Sequence, residues 1–322
     1  MKLTRRHVLA TLAAATLPAA PAASATETIR IGLPTKTYWP TTVAEAAKSQ
    51  KLFEKEGIVA ELTIYRGGAE TFEAMAAGAA DLILDAPSLP AAGRKKGVMS
   101  KVVANGAMGN FGWQLMVLAK SPLGVADLNG KKVGITSAGS GSDLLALWTI
   151  QEKKIDFTRV PVGGGGLVPN LLAGNIDAAV VYSPLSFQIA KSGEARTILD
   201  YAKDVPPNLT SGWIATDKYA QDKPEVLQKA LNALYGGVMF MRNNREAAIK
   251  LIADLYEMPA DIAAAEYDNT ILQLETSGDM SAPNVPQALQ LSLDMAGLGG
   301  MKDLVPASEI ISTRFKPVAT KV

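Results

Sequence analysis

The sequence predicts an α/β protein of two similar lobes, each a mixed sheet flanked by helices, facing each other across a cleft. Three observations carry this prediction. The phrase "MAAGAADLILDAP", Met75 to Pro87, returns as "LLAGNIDAAVVYSP", Leu171 to Pro184. Short apolar runs alternate with Ala-rich helical stretches, the pattern of βα units. The chain has 322 residues and is 48% hydrophobic, enough for two modest cores.

Aligned with an offset of 96 residues, Gly67-Gly68 falls on Gly163-Gly164, Ala77-Gly78 on Ala173-Gly174, and Asp81 on Asp177. Pro87 meets Pro184 after a one-residue slip. Each copy reads as strand, tight glycine turn, short helix, buried strand. The helices are expected at Thr71 to Ala77 and at Val168 to Ala173, each closed by a glycine, which takes the left-handed conformation without a Cβ penalty. Asp81 and Asp177 open the buried strands "LILD" and "AAVV", and Pro87 and Pro184 start the next helices, where a missing N–H does no harm. Ligands of open α/β sheets sit beyond the carboxyl ends of the strands. Asp85 and Ser88 in one copy, and Tyr182 and Ser183 in the other, are therefore expected at the cleft.

The remaining elements follow in order. "TIRIGLP" is a first strand, followed by the loop "TKTYWP" and a helix from Thr41 to Glu56 closed by Gly57. "SKVVANGAM" is a buried strand. Trp113 to Pro122 and Gly212 to Thr216 read as the two strands crossing between lobes. "KKVGIT" and "EARTILDYA" are strands of the second lobe, with a helix at Ser140 to Gln151 between them. Residues 223–322 read mostly as helix covering the first lobe, although Gly236 and Gly237 weaken the helical pattern there. The expected division is a signal peptide at 1–25, lobe 1 from 26–115 and 213–322, and lobe 2 from 116–212.

The N-terminus carries a cationic start, a short apolar run from Val8 to Pro18 and a small-residue site at Ala23-Ser24-Ala25, the pattern of an export signal. Thr4 to Leu9 resembles a twin-arginine signal. Its removal would leave 29 basic and 31 acidic residues and would take away His7, the chain's one histidine; there is no cysteine. A Ser-His-Asp triad, a thiol nucleophile and a disulfide are then excluded, and zinc, copper, haem and iron–sulfur centres lose their usual ligands. No catalytic residue, metal or cofactor is expected. The near-neutral balance argues against nucleic acid as a partner.

"IRIGLP", the phrase G-x-x-D before a strand in each half, "DLNGKKVGITSAGSGSDLLA" and a helical tail together resemble the solute-binding proteins of ABC importers, in the sulfonate-, taurine-, nitrate- and thiamine-precursor-binding group. The resemblance implies a two-lobed periplasmic-binding-protein fold, a clamshell. It also implies a soluble, monomeric periplasmic protein that delivers a small solute to permease subunits in the inner membrane. A thiamine-pyrimidine synthase within the wider family relies on a histidine and a cysteine-rich motif, which the processed chain would lack.

Ligand candidates come from the loops. In "TSAGSGSD", Thr136 to Asp143, a Gly/Ser loop runs into a helix whose free N–H groups attract an anion; Ser137, Ser140 and Ser142 add hydroxyls, and Gly139 and Gly141 permit close approach. The alternative is a capping box of Ser140 with Asp143. Gly164, in "VGGGGLVPN", offers backbone contact at the cleft edge or serves turn geometry alone. Thr37, Tyr38 and Trp39 can wall a planar or alkyl group. Asn110 and Phe111 precede the first crossing. Trp113 and Trp213 read as hinge packing, and Trp148 as core. The expected solute is a sulfonate or carboxylate, aromatic or not. A thiamine-precursor-like heterocycle is the alternative, favoured by Asp85 and the aromatic loop. A receptor-linked sensor is a further reading. An exported enzyme is disfavoured, since no carboxylate pair stands at a recognisable spacing.

Overall fold

The computed structural model describes residues 26–298 and 300–322; the signal-peptide reading of 1–25 lies outside them. Ten strands form two sheets: β1 (Glu27–Leu33), β2 (Ile58–Ile64), β3 (Leu82–Asp85), β4 (Ser100–Ala107), β5 (Gln114–Leu118), β6 (Lys132–Ile135), β7 (Thr158–Pro161), β8 (Ala178–Val181), β9 (Ala195–Asp200) and β10 (Ser211–Thr216). Their orders are β2-β1-β3-β10-β4 and β7-β6-β8-β5-β9. In each sheet three strands run parallel, and one, β10 or β5, runs antiparallel between the third and the edge strand. The fold is two-lobed, with the same plan used twice.

The repeat explains why. Asp81 donates its N–H to the Arg30 carbonyl at 2.8 Å and accepts the Arg30 N–H on its carboxylate at 2.9 Å. Asp177 does the same with Lys132, both bonds at 2.8 Å. Each aspartate thus closes a two-bond ring onto β1 or β6 and sets where β3 or β8 begins. Gly78 and Gly174, just before, are left-handed at φ 75° and 73°, as expected of helix-closing glycines. Asp177→Ala should lower unfolding stability by about 1–3 kcal/mol, since a charge-assisted bond is lost and a backbone N–H is orphaned. Urea denaturation checks this. Asp81→Ala should cost more, because Asp81 also pairs with the Arg30 guanidinium at 2.6 Å.

Several boundaries differ from expectation. The first long helix is two, Trp39–Ser49 and Leu52–Lys55, parted by Lys51 at φ 54°. The helix Pro224–Asn243 runs straight through Gly236 and Gly237. A Cβ on Gly237 would stand 2.7 Å from the Val43 carbonyl, and one on Gly236 2.7 Å from that of Thr320. The glycines let neighbouring backbone approach; they do not break the helix. The crossings also shift. β5 lies wholly in the second sheet and β10 wholly in the first, so the chain changes sheets at residues 108–113 and 205–210.

One core packs β1, β3 and β4 against the helices Trp39–Ser49, Pro224–Asn243, Arg245–Tyr256 and Ala260–Asn269. A separate core fills the second lobe, where Trp148 packs as expected. The C-terminal helices mostly cover the first lobe, but Val285–Leu298 bridges. Leu289 and Leu293 pack beside Ile83 and Val102 of the first sheet, whereas Met295 joins the core of the second. No helix among the described residues is long and apolar enough to cross a membrane.

Candidate functional site

The carboxyl ends of four parallel strands meet between the lobes. Pro34 and Thr35 follow β1, Asp85 ends β3, Thr136 follows β6 and Tyr182 follows β8; together they line a cavity. Tyr38, Gly68 and Trp113 close its sides, and Ser140 and Gly141 face it from the second lobe. Thr210 and Ser211 enter from the return crossing. Tyr38, Trp113, Gly141 and Thr210 also border an adjoining compartment that reaches Met295.

Asp85 dominates the electrostatics. It is 6% exposed. One carboxylate oxygen accepts the Ala86 N–H at 2.7 Å, and the other has no partner. Burial pushes its pKa up to about 7, against the pull of that backbone bond. Gly68 lies so close that any side chain there would overlap the carboxylate. Thr35 Oγ1 and Ser211 Oγ are likewise buried without partners. No Lys or Arg is among the described residues lining either compartment.

Opposite stands an aromatic triangle. Ring centroids are 5.6 Å apart for Tyr38–Trp113, 5.2 Å for Tyr38–Tyr182 and 5.4 Å for Trp113–Tyr182. Trp113 Nε1 donates to the Tyr38 hydroxyl at 3.3 Å, and the Tyr182 hydroxyl meets Thr37 Oγ1 at 3.3 Å. Burial raises the pKa of both tyrosines, so they stay neutral. The cleft is therefore lined by one buried carboxyl and three aromatic side chains.

The Gly/Ser loop is partly bonded to its own side chains, while Ser140 and Gly141 line the cavity. Asp143 reaches back and accepts the Gly139 N–H at 2.8 Å, and it pairs with Arg159. Ser142 Oγ accepts the Thr136 N–H at 2.9 Å and shares a hydroxyl network with Thr136 and Ser140. The loop's own carboxylate thus already takes the Gly139 N–H. The capping box is not formed either, because Ser140 Oγ donates to the Ser137 carbonyl at 2.7 Å and caps nothing.

Of the residues singled out in the sequence, Tyr38, Asp85, Ser140, Gly141 and Tyr182 line the main cavity, and Asn110 lines the adjoining one. Thr37 supports Tyr182 from behind. Trp39 instead begins a helix and turns into the first core. Phe111 folds its ring over Gly109. Ser88 is fully buried in the first turn of Ser88–Lys95, outside both compartments. Gly139 borders an outer groove, and Ser142 is held inside the loop.

Ser137, Gly164 and Ser183 join the lobes. Ser137 Oγ accepts the Ala69 N–H at 3.3 Å, Gly164 donates to the Arg66 carbonyl at 2.9 Å, and Ser183 Oγ bonds Thr270 Oγ1 at 2.8 Å. The lobes are thus closed on each other. Beside Ser183 lies Glu266, fully buried, with neither oxygen partnered; burial pushes it up to about 7 as well.

Thr35, Gly68, Thr136, Thr210 and Ser211 were not singled out as ligand contacts. Gly68 is the repeat mate of Gly164, and that signal was available. Trp113, expected as hinge packing, is a wall of the cavity.

Asp85 and Glu266 predict a pH effect. Their native pKa values lie near 7, above the unfolded values of about 4. Between those values the native state keeps protons that the unfolded chain releases. Stability should therefore fall as pH rises from about 4 to 7 and level off above. Melting curves at pH 5 and pH 8 check this, with the lower pH expected to give the higher Tm.

The architecture is that of two-lobed periplasmic binding proteins. The alkanesulfonate-binding protein SsuA from Xanthomonas axonopodis pv. citri, bound to MOPS, superposes with a TM-score of 0.76 at 20% identity, covering 88% of this chain and 99% of that one. The aliphatic sulphonate binding protein SsuA from Escherichia coli gives 0.71 at 21%, covering 89% and 92%. The desulfurization enzyme DszB, at 13% identity and a TM-score of 0.61, covering 89% and 97%, shares the fold too. Residues 42–248 match the family model described as NMT1/THI5 like, and the chain belongs to that family. A Brucella abortus (strain 2308) relative carrying the name "Putative binding protein" is 27% identical over 224 residues, 67% of this chain and 68% of its own.

Proposed function

We propose that the protein is the substrate-binding component of an ABC importer. It is exported to the periplasm by the segment 1–25 and works there as a monomer. It captures a small planar solute carrying a cationic or strongly donating nitrogen, of the amidine or aminoheterocycle class, and presents it to a membrane permease. The supporting observation is the unpartnered, buried oxygen of Asp85, in a cavity that Tyr38, Trp113 and Tyr182 also line. An N–H donor would satisfy that oxygen, and the rings favour a flat, cationic partner. A sulfonate or carboxylate, the first expectation from sequence, would meet a carboxyl group and no cation. The geometry therefore favours the heterocycle alternative over the anion.

Binding would hold the lobes together about residues 108–113 and 205–210. No covalent chemistry is proposed: fold alone does not decide function, and the cleft pairs its one carboxyl with no second acid or base. A thermal-shift screen tests the reading. Benzamidine and aminopyrimidines should raise the Tm by linkage, while taurine, benzenesulfonate and nitrate should not. A response confined to the anions would overturn it.

A further inference from the structure

We infer that the adjoining compartment is a second subsite, one that takes a neutral, apolar arm of the solute and is read by the C-terminal helix Val285–Leu298. This rests on the cleft being a binding site, as proposed above, and extends it to the solute's other end.

The two compartments differ in chemistry although Tyr38, Trp113, Gly141 and Thr210 border both. The first holds a buried carboxyl and two unpartnered hydroxyls. The second has no titratable lining residue apart from the shared Tyr38. Its apolar wall is Pro87, Leu144, Leu145, Leu209 and Met295. Most of its polar side-chain atoms are already engaged, the Asn110 Oδ1 excepted. Asn110 Nδ2 donates to Asn208 Oδ1 at 3.3 Å, and Asn208 Nδ2 donates to Ser292 Oγ at 3.0 Å. Ser292 Oγ bonds the Leu209 carbonyl, and Thr210 Oγ1 donates to the carbonyls of Ala107 and Gly109, each at 3.0 Å. A charged group entering here would find no free counter-charge, whereas a hydrocarbon arm would lose only water.

The walls come from four places at once: the two crossing segments, the second-lobe helix Gly141–Lys153, and Val285–Leu298. An arm seated there touches residues of both lobes and of both crossing segments. The subsite thus couples the solute's length to closure, and Met295, which packs in the second lobe from a helix seated mainly on the first, is the residue placed to measure it.

The test uses the whole processed protein and two probe series. In the first, 4-alkylbenzamidines from methyl to pentyl are titrated calorimetrically. Affinity should climb by about fourfold per methylene, the increment of burying one CH₂, until the compartment is full. Met295→Trp should flatten the series to less than twofold per methylene, and Met295→Ala should let it run to longer chains. The second series is neutral, ethylbenzene and butylbenzene, read by thermal shift. These should stabilise the wild type and Asp85→Asn alike, but not Met295→Trp. A length-independent benzamidine series together with no response to alkylbenzenes would overturn the subsite. If alkylbenzenes bind while benzamidine ignores Asp85→Asn, the subsite stands and the nitrogen reading fails. Circular dichroism confirms folding of each variant, and Met295→Ala carries the test if Met295→Trp does not fold.

Discussion

Replacing Asp85 with asparagine should lower affinity for benzamidine by at least 100-fold and, at pH 8, raise the melting temperature of the ligand-free protein by roughly 5 °C. Both effects have one cause. The carboxyl sits at the end of β3 with a single backbone donor and a second oxygen that has no partner. Such a group is costly to ionise: burial drives its pKa up to about 7. At pH 8 the folded protein carries that cost in full, and an amide removes it. A bound amidinium offsets the same cost by supplying N–H donors and positive charge, about 3 kcal/mol for hydrogen bonds to a charged group, which corresponds to the 100-fold loss. Trading stability for function in this way is the behaviour of a binding residue; a structural carboxylate would destabilise when neutralised. The amide oxygen of the variant side chain can still accept the Ala86 N–H, so β3 should remain in place. Paired thermal melts and calorimetry measure both halves.

The second large effect is expected at Gly164. Its Cβ position lies 2.5 Å from Thr35 Cγ2 and 2.8 Å from the Tyr182 hydroxyl. Gly164→Val should therefore prevent closure. Thr35 belongs to the first lobe and Gly164 to the second, so that clash is relieved by separating the lobes, while the Tyr182 hydroxyl, in Gly164's own lobe, must shift slightly. The variant should fold with a cooperative melting curve, lose affinity by more than 100-fold, and keep a larger radius of gyration in saturating benzamidine by small-angle X-ray scattering. Gly165 is the control: nothing lies within 4 Å of its Cβ position, and Gly165→Ala should bind and close as the wild type does. The loss follows from population arithmetic, because an affinity is scaled by the fraction of molecules able to reach the closed arrangement.

Much of this was legible in the chain. The repeated phrase located two βαβ units, their closing glycines and, through strand polarity, the cleft position of Asp85 and Tyr182. It also singled out Asp81 and Asp177, whose role turned out to be setting strand register. Side-chain direction was not legible. Trp39 and Tyr38 are neighbours in one loop, yet a helix beginning at Trp39 sends one ring to the core and leaves the other at the cleft. The Gly/Ser loop showed donors and an acid together, and only the fold shows that Asp143 bends back to satisfy Gly139. Thr210, Ser211 and Met295 gave no local signal. They reach the cleft because the chain returns to the first sheet and then sends a helix across the gap, which are contacts between residues far apart in sequence.

The central claim is that a cationic nitrogen rests on Asp85 between the closed lobes. The dissociation constant of benzamidine, measured by calorimetry from pH 5.5 to 8.5, addresses it directly. Benzamidine stays protonated over that range, so affinity should increase by up to tenfold per pH unit below about 7 and then plateau, as Asp85 ionises. In Asp85→Asn the weak residual affinity should not vary with pH. A pH-independent constant in the wild type, or Asp85→Asn binding as tightly as the wild type, would contradict the account.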